Sequence, residues 1–182
     1  MTEHPRRDGP LRLRDLLNPR TDRVLERWVE ASLAAYSAQA GVAWTREQDP
    51  FANPVGHSLR TGTRALFAAL LDDADDATLR GGLDGIVRIR AVQQLTPAQA
   101  VGFVFCLKDV VRAELGEALE ERALRLELVE LEARIDRAAL AAFDLFMEYR
   151  AQVSELRINE LKRNIPWAVK RTNRVELEQE PG

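Results

Sequence analysis

From Glu117 to about Asn164 the chain holds neither proline nor glycine. That stretch is rich in Ala, Leu, Glu and Arg, all strong helix formers, and at 1.5 Å per residue it predicts one unbroken helix of roughly 70 Å. Leu124, Leu128, Leu131, Ile135, Ala138, Ala142, Leu145, Tyr149, Val153 and Leu156 follow a largely 4-3 alternation, a coiled-coil-like stripe. A second stripe, Leu126, Val129, Leu140, Phe143 and Met147, flanks part of it. A helix apolar on two faces can serve its own core and a partner's helix at once. A homodimer is therefore expected, with Leu128, Leu131, Ile135, Ala142, Leu145, Tyr149 and Leu156 at the partner contact and Trp167 beyond them. The alternative is that both stripes are core of one chain.

The rest of the sequence is also helical in pattern. Asn18-Pro19, Asn53-Pro54 and Thr96-Pro97 each read as a capping residue followed by proline at the first helical position. They open helices to about Ala40, to about Leu71 and, nearly all apolar, from Ala98 to Leu115, closed by Gly116. A further helix is expected from about Ala77 to Leu95, weakened in its first half by Gly81, Gly82 and Gly85. Leu11, Leu13, Leu16 and Leu17 suit a short strap over the core, and Pro166 is expected to end the long helix. The division is an N-terminal arm (1–18), a helical body (19–164) and a basic then acidic tail (165–182). With 46% hydrophobic and 30% charged residues, the chain can bury a core without disulfides or metals.

Composition also excludes some roles. A net charge of −3 argues against a dedicated nucleic-acid binder. The first twenty residues hold five arginines and three prolines and do not resemble a signal peptide, and Cys106 is the only cysteine, so a reducing cytoplasm is expected.

Four stretches carry a family resemblance: Phe51-Ala52-Asn53-Pro54-Val55-Gly56; Ile86-Val87-Arg88-Ile89-Arg90-Ala91-Val92-Gln93; Thr96-Pro97 through Leu107-Lys108; and Ile135-Asp136-Arg137 through Asn159-Glu160-Leu161-Lys162-Arg163. With them, residues 50 to 163 resemble the N-terminal RsbRD domain, the input module of RsbT co-antagonist proteins in bacterial stress signalling. The resemblance implies a haem-free, globin-like, dimeric all-α sensory bundle whose long helix feeds a STAS domain or a kinase. This chain stops some twenty residues past the long helix, which leaves no room for a STAS domain and its phosphorylated output site. A stand-alone regulatory form is expected.

Candidate ligand-binding residues cluster around the turn before the apolar helix. Arg88 and Arg90 interrupt Ile86, Val87, Ile89, Ala91 and Val92; Gln93 and Gln99 frame the Leu95-Thr96-Pro97 corner; Lys108 follows the apolar run. Charges in apolar surroundings must be paired or face a cavity. They could form an anion or small-molecule pocket joined by the loop residue Trp44, or they could be structural ion pairs, Asp84 with Arg88 and Lys108 with Asp109 or Asp144. Haem would need an axial ligand, and His57 is the one plausible ligand in the folded region, better read as a helix-start residue; no cofactor is expected. No nucleophile pair, phosphate loop or metal motif is present, and no enzymatic role is expected. The acidic run Glu127, Glu130, Glu132 and Asp136 reads as a solvated face neutralised by Arg125, Arg134 and Arg137. Basic residues around Trp167, within 165–174, suit a membrane surface or an acidic partner groove. The expected function is a sensory module that binds a small ligand or partner protein and signals through a dimerising helix. The competing one is an adaptor docking a larger cytoplasmic or membrane-associated complex through the basic tail.

Overall fold

The computed structural model describes the backbone of residues 11–40, 54–93 and 95–177, and side chains over 11–35, 60–93 and 95–163. Among these residues every regular element is helical, so the all-α expectation holds. The elements are α1 (Leu13–Leu17), a 3₁₀ turn (Asn18–Arg20), α2 (Thr21–Ala40), α3 (Pro54–Leu71), α4 (Asp76–Ala91), α5 (Pro97–Leu115), a second 3₁₀ turn (Gly116–Glu120) and α6 (Arg122–Leu177).

Local chemistry sets most of these boundaries. Thr96 opens α5 with a capping box: its hydroxyl accepts from the Gln99 amide at 3.3 Å and the Gln99 side chain accepts from the Thr96 amide at 2.9 Å. Asp75 caps α4 through the Thr78 amide at 2.9 Å, and hydrogen bonds from Thr78 hold its carboxyl below the ordinary value. Gly116 ends α5 at φ 48°, a conformation that disfavours any side chain. Asn18 departs from the expected cap. Leu13–Leu17 is already helical and Asn18 continues it at φ −52°, ψ −49°, so no extended residue stands there to cap. The long helix starts at Arg122 rather than Glu117, because a 3₁₀ turn intervenes, and it runs through Pro166 to Leu177. A proline inside a helix forfeits one hydrogen bond and can kink a helix without ending it.

The helices close a ring in which α2 packs on α3, α3 on α4, α4 on α6, α6 on α5 and α5 back on α2. The α3–α4 crossing is the tightest. A Cβ on Gly82 would lie 3.1 Å from the Leu66 backbone, and one on Gly62 would lie 2.6 Å from the Ile86 side chain. Trp28 joins α2 to α5; fully buried, it stacks on Phe103 with ring centroids 6.3 Å apart and donates from Nε1 to the Phe103 carbonyl at 2.6 Å. Leu13 and Leu17 are buried, so α1 does strap the core, and the Leu13 amide donates to Glu127 of α6 at 2.8 Å.

The first stripe of α6 faces inward. Leu128, Leu131, Ile135, Ala142 and Leu145, expected at a dimer contact, are instead buried in the chain's own core, and Tyr149 packs against its edge. A 4-3 stripe marks a buried helix face without saying whose helix covers it, and here the core of one chain supplies the cover. Leu156 lies past the body and is exposed. The second stripe stays outside: Leu126, Val129, Leu140, Phe143 and Met147 are all exposed.

Candidate functional site

Arg88 and Arg90 sit two residues apart on α4, about 200° around a helix of 3.6 residues per turn, and so face opposite ways. Arg88 lies on the outer side of the α4–α6 seam. Its Nη2 donates to Asp84 at 3.0 Å and to the Tyr149 hydroxyl at 3.2 Å, with the guanidinium 5.1 Å from the Tyr149 ring centroid. Tyr149 in turn donates to Asp84. Hydrogen bonding to the Asp84 carboxylate, then burial, raises the Tyr149 phenol above its ordinary value, against an opposing pull from Arg88. The expected Asp84–Arg88 pair is present, extended by a tyrosine that the spacing rule alone did not reveal.

Arg90 is 1% exposed. Its Nη1 donates to the carbonyls of Gln99 and Ala100, both at 3.2 Å, and the guanidinium stacks 4.8 Å from the Phe103 ring centroid. The side chain fills the corner between the end of α4 and the first turn of α5. Gln99 is committed to the capping box, and half-buried Gln93 closes the turn after α4 with its amide on the Arg90 carbonyl at 3.2 Å.

Lys108 lies nine residues beyond Gln99, about 13 Å along α5. Its ammonium pairs with Asp136 of α6 at 2.6 Å and sits 5.9 Å from the Phe105 ring centroid. Neither Asp109 nor Asp144 is the partner, because α5 packs against the stretch of α6 that carries Asp136. The structure therefore joins Arg90 with Gln99 and sets Arg88 and Lys108 apart from them. Trp44 and the side chains of His57 and Trp167 lie outside the described residues. Cys106 is half-buried, and burial pushes its thiol up, which leaves little thiolate for redox chemistry.

The acidic run of α6 is less solvated than its composition implied. Glu127 anchors α1, Glu132 pairs with Arg112 at 2.7 Å, and Asp136 holds Lys108. Arg134 and Arg137 turn to Asp73, and Arg125 to the carbonyls of Leu119 and Glu120, so the expected neutralisation within the helix gives way to ties between elements. Around Glu127, Glu130 and Arg134 a cleft of about 490 Å³ opens between α1, the α3–α4 turn and α6, with Arg14 and Asp72 paired across it at 2.6 Å. Sequence reasoning missed this cleft because its walls come from three distant segments. Among the described residues, no group of three or more His, Cys, Asp or Glu is placed to hold a metal, and no helix is long and apolar enough to cross a membrane.

A closed ring of helices, one of which carries on far past the body, defines a class: an all-α module built around a protruding helix. The model of the RsbT co-antagonist protein rsbRD N-terminal domain matches residues 22–161, and the chain belongs to that family, a regulatory and sensory one. Comparison with curated proteins and with solved structures returns no match.

Proposed function

We propose that this protein is a non-catalytic regulatory domain of the cytoplasm that responds to a partner protein and passes the response on through α6, working as a homodimer without a cofactor. One observation carries the reading. The side chains of α6 reach the body as far as Arg150, which donates to the Ala91 carbonyl, and residues 154–163 are then all exposed while the helix continues to Leu177. From Ser154 onward that is about 36 Å of helix outside the body, a lever whose base is embedded in the core. A shift of α4 or α5 at that base would move the lever, the kind of helix displacement that regulatory proteins use. A partner is preferred to a small ligand because Arg90 fills the α4–α5 corner where a pocket was expected, bonding to two carbonyls and stacking on Phe103.

The adaptor reading draws on the exposed basic residues Arg157, Lys162 and Arg163 of the protruding helix. One experiment addresses both readings: affinity capture from an extract of the native cell, comparing the full chain with a chain ending at Val153. A protein retained by the full chain and lost on truncation is the expected result. Equal capture by both would overturn α6 as the output element.

A further inference from the structure

Glu114, one residue before the end of α5, has a side chain that is only 2% exposed. Three arginines from the turn before α2 and from α2 itself meet at this one residue. Arg20 donates from Nη1 to its carbonyl at 2.6 Å. Arg23 donates to Oε2 from Nε at 2.8 Å and also from Nη2, and Arg27 donates from Nη1 to Oε1 at 2.7 Å. A buried carboxylate needs an opposite charge and hydrogen bonds to its remaining lone pairs, and the fork of Arg23 with the single bond from Arg27 supplies both. The third guanidinium goes beyond that need. Three cations around one anion leave a surplus of two positive charges, of which the negative end of α5 offsets only about half of one. Glu26 and Glu30, each three residues past an arginine of the cluster on α2, form no ion pair with it among the described residues.

We infer that this cluster binds a phosphate group. The surplus charge faces solvent: the side chains of Arg23 and Arg27 stay 58% and 52% exposed while bonded to Glu114. A guanidinium carries five N–H groups, and these bonds engage two on Arg23 and one each on Arg20 and Arg27, so donors remain on all three. Long cationic side chains ordinarily lose rotamer freedom when they close on a ligand. Here the buried carboxylate has already fixed them side by side. Charge selects the class of ligand. A phosphate group carries close to two negative charges at neutral pH, which matches the surplus, whereas a carboxylate would cancel half of it. Shape agrees, because the planar fork of a guanidinium fits two phosphate oxygens at once. The group can come from a small phosphate compound or from a phosphorylated side chain of a partner protein. The inference goes beyond the proposed function, which places the output in α6 and gives the input no chemistry.

Titration of the full, nitrogen-15-labelled chain with inorganic phosphate at constant ionic strength, followed through the arginine Nε–H resonances, tests the site. Saturable shifts of Arg20, Arg23 and Arg27 are expected, with Arg14 and Arg88 unmoved. Arg20→Gln leaves both ion pairs to Glu114 in place, so the fold should survive, and it should weaken binding about tenfold through the loss of one charge-assisted hydrogen bond. Arg14→Gln, an exposed arginine paired elsewhere with Asp72, should bind phosphate like the unmodified chain. A phosphoserine peptide of otherwise uncharged residues separates the two sources: tighter binding than inorganic phosphate points to a phosphorylated partner, and equal or weaker binding to a small phosphate compound. Shifts that do not saturate, shifts spread evenly over the exposed arginines, or undiminished binding by Arg20→Gln would overturn the inference. A partner captured through α6 by a chain that does not bind phosphate would sink the phosphate site alone; phosphate binding with no difference in capture on truncation would sink the functional reading alone.

Discussion

Arg88 and Arg90 show how two identical side chains two positions apart come to do unrelated work. Arg88 pairs at the surface with Asp84 and Tyr149, where exposed ion pairs contribute little net stability. Arg90 replaces water with two carbonyls and an aromatic face, and its stem and guanidinium occupy core volume. Arg90→Ala is therefore expected to cost about 2–4 kcal/mol, from a cavity and from lost charge-assisted hydrogen bonds. Arg88→Ala should cost far less, because an exposed ion pair is screened by solvent. Urea unfolding of the two variants checks the difference, and near-equal losses would contradict the burial argument. Sequence alone showed that these charges interrupt an apolar run. It could not say which of them faced inward, because the answer depends on where the neighbouring helices cross.

Helix ends in this protein are tied down by arginines from elsewhere in the chain. Arg134 donates to the Leu70 carbonyl at the end of α3 at 2.7 Å, Arg150 to Ala91 at the end of α4 at 3.2 Å, and Arg20 to Glu114 near the end of α5 at 2.6 Å. The last carbonyls of a helix lack partners within it, and a cation placed there both satisfies them and opposes the negative end of the helix dipole. Glu114 is held further by Arg23 and Arg27. The glycines of α4 divide in the same way by neighbour. Gly82 sits where α4 touches the Leu66 backbone, whereas Gly81 has open space around it. Gly82→Ala is expected to destabilise by about 1–3 kcal/mol because the α3 backbone must give way. Gly81→Ala should stabilise by about 0.5–1 kcal/mol by removing unfolded-state freedom. Thermal unfolding of the two variants should move in opposite directions; a shared sign would show that the crossing is looser than described.

As a whole, the molecule divides into a ring of helices with a continuous core and a helix that leaves it. The core residues of α6 extend from Leu124 to Phe146, with Tyr149 at the edge. A chain ending at Val153 should therefore keep the body's fold, with a midpoint within a few degrees of the full chain's dissociated form, and circular dichroism melts would show it. A large drop would mean that the protruding helix stabilises the body directly.

Helix content, the capping of α5, the all-α class and the family were legible in the residues themselves, because propensity, capping and glycine or proline punctuation act within a few positions along the chain. The long helix was legible for the same reason. What it packs against was not. Leu128 and Leu140 both lie on apolar stripes of one helix, and only the ring closed by α4 and α5 buried the first and left the second 68% exposed. Lys108 likewise met Asp136 rather than a sequence neighbour. Local periodicity determines that a face needs cover, but what covers it is settled by the crossing of distant helices, and that geometry exists only once the chain has folded.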